Sequence, residues 1–429
     1  MDLASLSANS LAILSLGSLV VAIVVSQFLR LNVGVVAICM AWLIGYYFAG
    51  LHIKTIIGGF PLGLASILFG VTFLFGQAQA NGTLDQLALR IVRLAHGQRG
   101  LIPIIFFILA LVLAAIGPGN IAAVALLAPI ALSMGARVGA GAFLMTIMLA
   151  NGANAGAFSP LAPTGIIANG LIDGLGYSMN PWTQVFLPSL LAQSAIAFTG
   201  YLAFGGLRLW RAPLPQAQLI RLANQPTNEL LPLNRAQWAT TAAISVLSLG
   251  VTLFDADIGF LALTLATLVA IVSRTDQEEV IKVVPWDTIM LVCGVSTLMA
   301  ILDETGGMDL FTSLLARIAD STNITAVIAF ISGVISVYSS SSGVVMPAFI
   351  PTVPGLIEKL GGGDPVAIIS SINVGSHVVD VSPLSTLGAI CIANAAPGED
   401  RRLLFRRLLA WGLAMALVGA AVCYLIFGL

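Results

Sequence analysis

One acidic residue lies within a stretch that is otherwise apolar or small. Asp380 falls in the apolar stretch 366–394, three residues after His377. A carboxylate inside such a stretch is costly and is a functional-site hypothesis by default. On a helix the two side chains would be neighbours, so we predict that Asp380 binds a cation or carries a proton, with His377 as its partner. The alternative is that Asp380 only caps a helix that begins after it, since Asp is a favoured N-cap residue.

Small polar residues cluster at four points where apolar stretches contain helix-breaking residues. These points are residues 117–120, 150–156, 339–343 and 373–383. A half-helix that begins at a break exposes unpaired N–H groups that suit a carboxylate, and one that ends there exposes carbonyl groups that suit a cation. The breaks therefore predict a site for an organic anion together with a cation.

Asn, Ser and Thr residues at these breaks, with His377 and Asp380, form the predicted site. For the substrate we predict Asn120, Asn154, Ser341, Ser342, Ser385 and Thr386. For the cation or its coupling we predict Asn120, Asn151, Asn373, His377 and Asp380. The alternative is that these small residues serve only helix packing. No Lys or Arg lies near the middle of these stretches, so anion recognition would rest on helix ends and amides, or on the cation itself.

The composition of the whole chain is that of a membrane protein. Of its 429 residues, 58% are hydrophobic and only 9% are charged, whereas soluble domains carry about a quarter charged residues. Too few charges remain to cover a water-soluble surface of this size. No basic patch interleaved with aromatic residues supports nucleic-acid binding. The four Cys and three His residues show no metal-ligand spacing, so we expect no cofactor, with sodium possible only as a coupling ion.

A helix needs about 20 apolar residues to span the hydrocarbon core of a bilayer. The predicted spans are residues 11–29, 32–50, 60–78, 141–170, 181–204, 237–254, 258–273, 285–302, 366–394 and 406–427. Two further stretches, 101–135 and 322–358, are interrupted near their middles and predict re-entrant hairpins. In residues 84–99, apolar residues at helical spacing alternate with charged ones, which predicts an amphipathic helix in the membrane interface.

Basic residues are unevenly distributed among the connections between these spans. If each hairpin returns to its own side, all but Lys54, Arg317 and Lys359 of the 18 Lys and Arg residues fall on one side. Such a bias marks that side as cytoplasmic. Ten spans then place both termini outside, in the inner (plasma) membrane of a bacterium, and the first span is predicted to be retained rather than cleaved.

The two halves of the chain repeat each other at a nearly constant offset. Matching positions 224 residues apart are Pro61 and Pro285, Gly70 and Gly294, Gly82 and Gly306, and Asp85 and Asp309. The tripeptide Ser-Pro-Leu at 159–161 recurs at 382–384. Gly, Pro and polar matches in register across both halves are a strong repeat signal. Each half has five spans, and since five is odd, the second half must be inverted relative to the first.

The predicted fold is an all-α polytopic membrane protein of two inverted repeats, each with five transmembrane helices and one re-entrant hairpin. The N-terminal repeat is 1–204, a cytoplasmic linker is 205–236, and the C-terminal repeat is 237–429. Hairpin 101–135 precedes broken helix 141–170, and hairpin 322–358 precedes broken helix 366–394. This architecture is typical of secondary transporters, whose substrate binds near the midplane where the breaks converge.

Two segments carry a resemblance to a known family. The stretch 117–129, GPGNIAAVALLAP, and the stretch 150–169 resemble the dicarboxylate carriers of the malonate-carrier type. More distantly, the whole chain resembles the divalent anion:sodium symporters of the ion transporter superfamily. Their hairpin tips carry a Ser-Asn-Thr motif, where this chain has Pro118-Gly119-Asn120 and Ser340-Ser341-Ser342.

The resemblance implies a mechanism and an assembly. A sodium ion would bind at each hairpin tip, against the break of the following span, and the substrate would bind between the tips. The protein would be a homodimer. A transport domain of hairpins and broken spans would move in an elevator motion against a scaffold that includes residues 11–50 and 237–273.

The leading hypothesis is a secondary transporter of small dicarboxylates coupled to a cation, with sodium favoured over protons. An alternative on the same scaffold is a sodium/proton or other ion antiporter, which the pairing of Asp380 with His377 would suit. An enzyme is not expected. An intramembrane hydrolase would need a placed nucleophile and base, and His377 is the sole candidate base in the middle of a span.

Overall fold

The computed structural model describes residues 7–29, 31–84, 86, 98–211, 232–254, 256–338, 340–396 and 398–428. Within these ranges the chain is helical and forms no strand. The predicted amphipathic helix at 84–99 lies almost wholly outside the described residues, as do residues 212–231 of the predicted linker.

In the first half, the helices follow the order of the predicted spans. They are α1 (Ala8–Leu29), α2 (Val33–Trp42, continued by the π-helical segment Leu43–Phe48), α3 (Ile53–Gly58), α4 (Leu62–Ala80), α5 (Leu101–Ala115), α6 (Gly119–Val138), α7 (Ala142–Ala157), α8 (Pro163–Gly174), α9 (Leu187–Ala203, preceded by the π-helical segment Pro181–Phe186) and α10 (Gly206–Arg211). Helices α5 and α6 occupy the predicted first hairpin, and α7 and α8 the predicted first broken span.

In the second half, the helices also follow the order of the predicted spans. Its helices are α11 (Arg235–Phe254), α12 (Ile258–Ser273), α13 (Gln277–Val283), α14 (Trp286–Glu304), α15 (Gly307–Ala316), α16 (Ile324–Tyr338), the π-helical segment Ser341–Val345 that leads into α17 (Met346–Phe349), a 3₁₀ turn Ile350–Thr352, α18 (Val353–Leu360), α19 (Pro365–His377), α20 (Thr386–Ala393) and α21 (Arg401–Phe427). Helix α16 and the segments from Ser341 to α18 occupy the predicted second hairpin, and α19 and α20 the second broken span.

Length and composition make seven of the described helical stretches able to cross a membrane. They are Ala8–Val25, Ile53–Ala80, Gly119–Ala136, Pro181–Ala203, Trp286–Glu304, Ser341–Leu360 and Arg401–Phe427. Other apolar helices, such as α12, have only 10–17 residues. Large apolar side chains cover the outside, among them Phe254 and Phe260, whose exposed fractions are 77% and 71%. The chain is therefore a multi-pass membrane protein, and the count of ten spans stays a prediction.

Short polar side chains begin several helices by accepting backbone N–H bonds. Asn32 Oδ1 accepts from Gly34 N at 2.9 Å, and Asp364 Oδ1 accepts from Val366 N at 3.0 Å. Asp400 caps α21 through two such bonds. These caps satisfy N–H groups that a helix start leaves unpaired. They define where α2, α19 and α21 begin.

Glycines allow two pairs of helices to cross with their backbones in near contact. A Cβ atom on Gly34 of α2 would lie 2.0 Å from the carbonyl oxygen of Met290, and one on Gly294 of α14 would lie 2.1 Å from that of Gly34. Likewise, a Cβ on Gly70 of α4 would lie 2.4 Å from the carbonyl oxygen of Gly259 in α12. Gly34 and Gly259, like Gly70 and Gly294, are 225 or 224 residues apart. Each crossing joins one helix of the first half to one of the second.

Each hairpin arm packs in a similar way against the half-helix that follows it. A Cβ on Gly152 of α7 would lie 2.3 Å from the carbonyl oxygen of Phe107 in α5, and one on Gly375 of α19 would lie 2.4 Å from that of Ala329 in α16. The two glycines are 223 residues apart. Small residues that let helix backbones approach closely are the usual means of helix packing in membranes. The hairpins are thereby fixed against the broken spans.

We expect the substitution Gly152→Ala to destabilise the protein by about 1–3 kcal/mol, because overpacking forces the backbones apart. The measurement is thermal unfolding in detergent, followed by circular dichroism. The matched control is Gly17→Ala in α1, where an added Cβ meets nothing within 4 Å; it should be neutral or slightly stabilising. Equal melting temperatures for the two variants would contradict this account of the α5–α7 contact.

Candidate anion and cation site

The first hairpin tip depends on two glycines. Gly117 has φ 139° and Gly119 has φ 81°, backbone angles that residues other than glycine rarely adopt. A Cβ on Gly117 would also lie 1.7 Å from Cε2 of Phe75. This turn ends α5 and lets α6 begin at Gly119, so that Asn120 stands in the first turn of the new helix.

The second tip begins after α16 ends at Tyr338. Ser340 is the N-cap of the segment that follows, and its Oγ accepts a hydrogen bond from Gly343 N at 3.0 Å. Ser341 and Ser342 thus occupy the first turn of the returning arm. The predicted interruption is confirmed for the described residues, while Ser339 lies outside them.

The predicted interruption at residues 150–156 is wrong. Helix α7 continues through it to Ala157, and the break lies at residues 158–162, around Ser159-Pro160-Leu161. The glycines in the predicted segment serve close packing instead: a Cβ on Gly156 would lie 2.2 Å from the carbonyl oxygen of Leu111. In the second half α19 likewise continues through Asn373 to His377, and the break covers residues 378–385.

Two asparagines connect the first hairpin tip to the end of α19. Asn120 Nδ2 donates to Asn154 Oδ1 at 2.8 Å, and Asn154 Nδ2 donates to the carbonyl oxygen of His377 at 3.0 Å. Asn154 is wholly buried. A carbonyl at the C-terminus of a helix has no partner within that helix, and the carbonyl of His377 instead accepts from Asn154 and from the backbone N–H of Asp380 at 3.2 Å. The structure thereby brings together residues from both halves of the chain.

Asp380 lies at the second tip, against Ser341. Its Oδ1 accepts a hydrogen bond from Ser341 Oγ at 2.6 Å. Ser341 Oγ also lies 3.1 Å from the carbonyl oxygen of Ser376 and 2.5 Å from Ser336 Oγ. Ser341 has one hydroxyl proton and cannot donate to all three neighbours at once. Which of these groups donates and which accepts therefore depends on whether Asp380 is protonated. The predicted cap role fails, since Ser385, not Asp380, is the N-cap of α20.

His377 does not contact Asp380 through its imidazole in the described structure. Its Nδ1 lies 3.0 Å from the carbonyl oxygen of Asn373 and 3.0 Å from Ser376 Oγ, and its ring packs edge-on against Phe158. The chain turns after His377, so the helical spacing that would have paired the two residues ends there. The predicted His377–Asp380 contact is therefore wrong, while a role of either residue in coupling stays a prediction.

Two buried asparagines have amide atoms without partners among the described residues. Asn151 Nδ2 donates to the carbonyl oxygen of Ile147 at 2.8 Å, but its Oδ1 has no partner. Asn373 has none for either Oδ1 or Nδ2. Buried polar groups normally bind a partner, an ordered water or an ion. These oxygens suit a cation, while the free Nδ2 of Asn373 needs an acceptor.

A cavity of about 300 Å³ opens beside the two tips. Asp380 and most of the predicted substrate residues line it, namely Asn120, Ser341, Ser342, Ser385 and Thr386. Asn154 lies behind Asn120, and Asn151, Asn373 and His377 do not line the cavity. The N-terminal turns of α6, α20 and the segment Ser341–Val345 all meet here. No Lys or Arg is among the described lining residues.

Asn32 was missed as a lining residue by the sequence analysis, and Ser340 was placed at the second tip without being included among the predicted ligands. Both residues line the same cavity and also cap the segments that follow them. A second cavity of about 340 Å³ shares Asn120, Ile121 and Ser342 with the first, and adds Gln79 and Thr164. The hairpin tips therefore form the wall between two cavities.

Comparison with known proteins gives one family match. Residues 9–157 match the family model described as the N-terminus of the dicarboxylate carrier protein MatC. The resemblance to dicarboxylate carriers of the malonate-carrier type is thus confirmed over this part of the chain. It indicates a transporter rather than an enzyme. No curated protein matches the chain in sequence.

Several solved structures share the fold, and two of them are transporters that cover most of this chain. MtrF of Neisseria gonorrhoeae, described among a class of antimetabolite efflux pumps, has 15% sequence identity and a TM-score of 0.55, with 87% of this chain and 82% of that chain covered. The YdaH transporter of Alcanivorax borkumensis, described as having an unusual topology, also has 15% identity and a TM-score of 0.55, with coverages of 86% and 87%. At this identity the likeness concerns the fold alone.

We expect Asn154→Ala to destabilise the protein by about 0.5–1.5 kcal/mol for each hydrogen bond lost. Asn120 Nδ2 loses its acceptor, and the carbonyl of His377 loses one of its two donors, since the backbone N–H of Asp380 still donates to it at 3.2 Å. Thermal unfolding would be compared with Asn394→Ala, which removes a bond to a carbonyl within its own helix.

A double-mutant cycle with Asn120→Ala tests the contact itself. Residues in one hydrogen-bond network show interaction energies of about 0.5–3 kcal/mol. Strictly additive effects would mean that Asn120 and Asn154 act separately, contrary to the geometry.

Proposed function

We propose that this transporter, whose residues 9–157 match the dicarboxylate carrier family, moves small dicarboxylates across a membrane together with a cation. The observation that carries the proposal is that Asp380 lines the same cavity as the helix starts and polar side chains predicted to bind the anion. This arrangement suits an anion only when a positive charge accompanies it.

The anion part of the proposal rests on the helix starts around the cavity. Unpaired N–H groups and the partial positive charge at a helix N-terminus attract carboxylates. Asn120, Ser341, Ser342, Ser385 and Thr386 add amide and hydroxyl groups at these starts, with Asn154 supporting Asn120 from behind. A dicarboxylate can place one carboxylate at the first tip and the other between Ser341 and Thr386.

The cation part rests on the charge of Asp380. A carboxylate about 5 Å from an ionised Asp380 would be repelled by about 3 kcal/mol at an effective dielectric constant of about 20. A sodium ion or a proton bound at Asp380 removes that repulsion. The cation and the anion therefore bind together, which is the thermodynamic requirement for coupled transport.

Sodium is the cation that we favour, and Asn120, Asn151, Asn373, His377 and Asp380 are the residues proposed to bind it or to couple it. The free Oδ1 atoms of Asn151 and Asn373 support a role for these two amides, since sodium, a hard cation, favours oxygen ligands. A proton on Asp380 is the competing possibility, which the experiment below separates.

We further propose the architecture and motion that the resemblance implied. The matched glycine crossings and the breaks at corresponding positions support two inverted repeats. The scaffold would include residues 11–50 and 237–273, and the crossings join α4 and α14 to it. The hairpins and broken spans would form a transport domain that moves in an elevator motion. A homodimer in a bacterial inner membrane, with both termini outside, completes the proposal.

The test is uptake of labelled C3 and C4 dicarboxylates into proteoliposomes, under a sodium gradient or a proton gradient imposed separately. Wild type should take up substrate under the sodium gradient, and the uptake rate of Asp380→Asn should be at least tenfold lower. The control is Asp364→Asn, because Asp364 caps α19, the half-helix that ends shortly before Asp380, from an exposed position, and Asn is an equally good cap.

Equilibrium binding separates coupling from simple damage. Sodium should tighten dicarboxylate binding to wild type, whereas Asp380→Asn should bind the dicarboxylate without that dependence, because the repelling charge is gone. Uptake driven only by the proton gradient would show that the coupling ion is a proton and not sodium. Cation exchange without dicarboxylate uptake would overturn the proposal in favour of an antiporter.

A further inference from the structure

A surface cavity that shares no lining residue with the cavity at the hairpin tips has a mixed aromatic and basic lining. Its volume is about 440 Å³, and Phe143, Phe204, Arg407, Ala410, Trp411 and Ala414 line it. The three aromatic rings contact one another edge-on, with centroids 4.9 Å apart for Phe143 and Phe204 and 5.5 Å apart for Phe204 and Trp411. Nothing in the proposed transport cycle uses these residues.

The ends of three helices place this cavity at the level where a membrane meets water. Phe143 is in the first turn of α7, Phe204 follows the end of α9, and Arg407 is the last charged residue before the apolar part of α21. Aromatic side chains are enriched at this depth because one side of their surroundings is wet and the other apolar. The basic side of the chain, predicted to be cytoplasmic, is the side concerned.

Charge and shape together indicate the ligand. Arg407 is exposed and has no acidic partner within the described residues. Arg401, Arg402 and Arg406 lie on the same helix start and are also exposed, opposed nearby by Glu399 and Asp400. Basic pockets between transmembrane helices on the cytoplasmic side bind anionic lipid head groups.

Below the cavity the surface turns apolar. Ala414 lines the cavity, and one turn further along α21 Leu417 and Val418 are exposed, with exposed fractions of 64% and 39%. An acyl chain can lie along this stripe while the head group reaches Arg407. The indole Nε1 of Trp411 is buried and has no partner among the described residues, and buried indole N–H groups usually find an acceptor.

We propose that this cavity binds an anionic phospholipid of the surrounding bilayer, with its phosphate at Arg407 and its acyl chains over the rings of Phe143, Phe204 and Trp411. The inference needs only that the protein is embedded in a membrane, so it stands apart from the proposed substrate. The bound lipid would hold the interfacial ends of α7, α9 and α21 together.

Native mass spectrometry of the purified protein tests this proposal, with phosphatidylglycerol and phosphatidylethanolamine titrated separately. Wild type should bind phosphatidylglycerol more tightly than phosphatidylethanolamine. Arg407→Gln should weaken the binding of phosphatidylglycerol about fivefold, the effect of one basic side chain near an anionic head group. Arg402→Gln makes the same change of charge outside the cavity and should leave the affinity within about twofold of wild type. Melting temperatures confirm that both variants are folded.

Several results would overturn the proposal. Equal losses in Arg407→Gln and Arg402→Gln would mean that only the summed surface charge attracts lipid. Equal affinity for the two lipids would remove the role of charge. Displacement of the lipid by glycerol phosphate at equal concentration would show a small-anion site, in which the aromatic rings take no part.

Discussion

Backbone groups freed by a broken helix have no water to bind within a bilayer, so the protein itself must satisfy them. This constraint governs the centre of the molecule. The carbonyl of His377 at the end of α19 accepts a hydrogen bond from Asn154 Nδ2, and the carbonyl of Ser376 lies 3.1 Å from Ser341 Oγ. Ser341 therefore stabilises a break and also lines the cavity, while Asn154 stabilises a break and supports Asn120, which lines the cavity. Structure and recognition use one set of amides and hydroxyls.

Much of the fold follows from patterns in the sequence. Apolar stretches of sufficient length, separated by basic or Gly/Pro-rich connections, locate the helices, and the Gly-Pro-Gly turn locates the first tip. The break in the first broken span was misplaced because Gly152 and Gly156 were interpreted as helix breakers. In a bilayer, glycine within a helix also permits close packing, and the sequence alone does not say which role applies. The Ser159-Pro160-Leu161 segment was the better signal, since proline removes a backbone donor.

The candidate site shows the same mixture. Most of the predicted polar residues line one cavity, because five of them lie at the start of a helical segment after a break and Asp380 lies within a break. Spacing failed for His377 and Asp380, since a distance of three residues brings side chains together only while the helix continues. The helix ends at His377. The partner of Asp380 is Ser341, which is 39 residues away in the sequence, and no local pattern could have indicated that contact.

The crossings at Gly34 and Gly294 and at Gly70 and Gly259 also limit how the molecule can deform. A contact between two side chains can adjust by a change of rotamer, but a contact between two backbones has no such freedom. The frame made by α2, α4, α12 and α14 should therefore behave as a stiff unit under load. Any rearrangement that admits or releases a ligand must occur elsewhere, where side chains separate the helices. The same stiffness implies that a larger residue at the crossing point of one helix needs a smaller residue, or a shifted backbone, in the helix that it crosses.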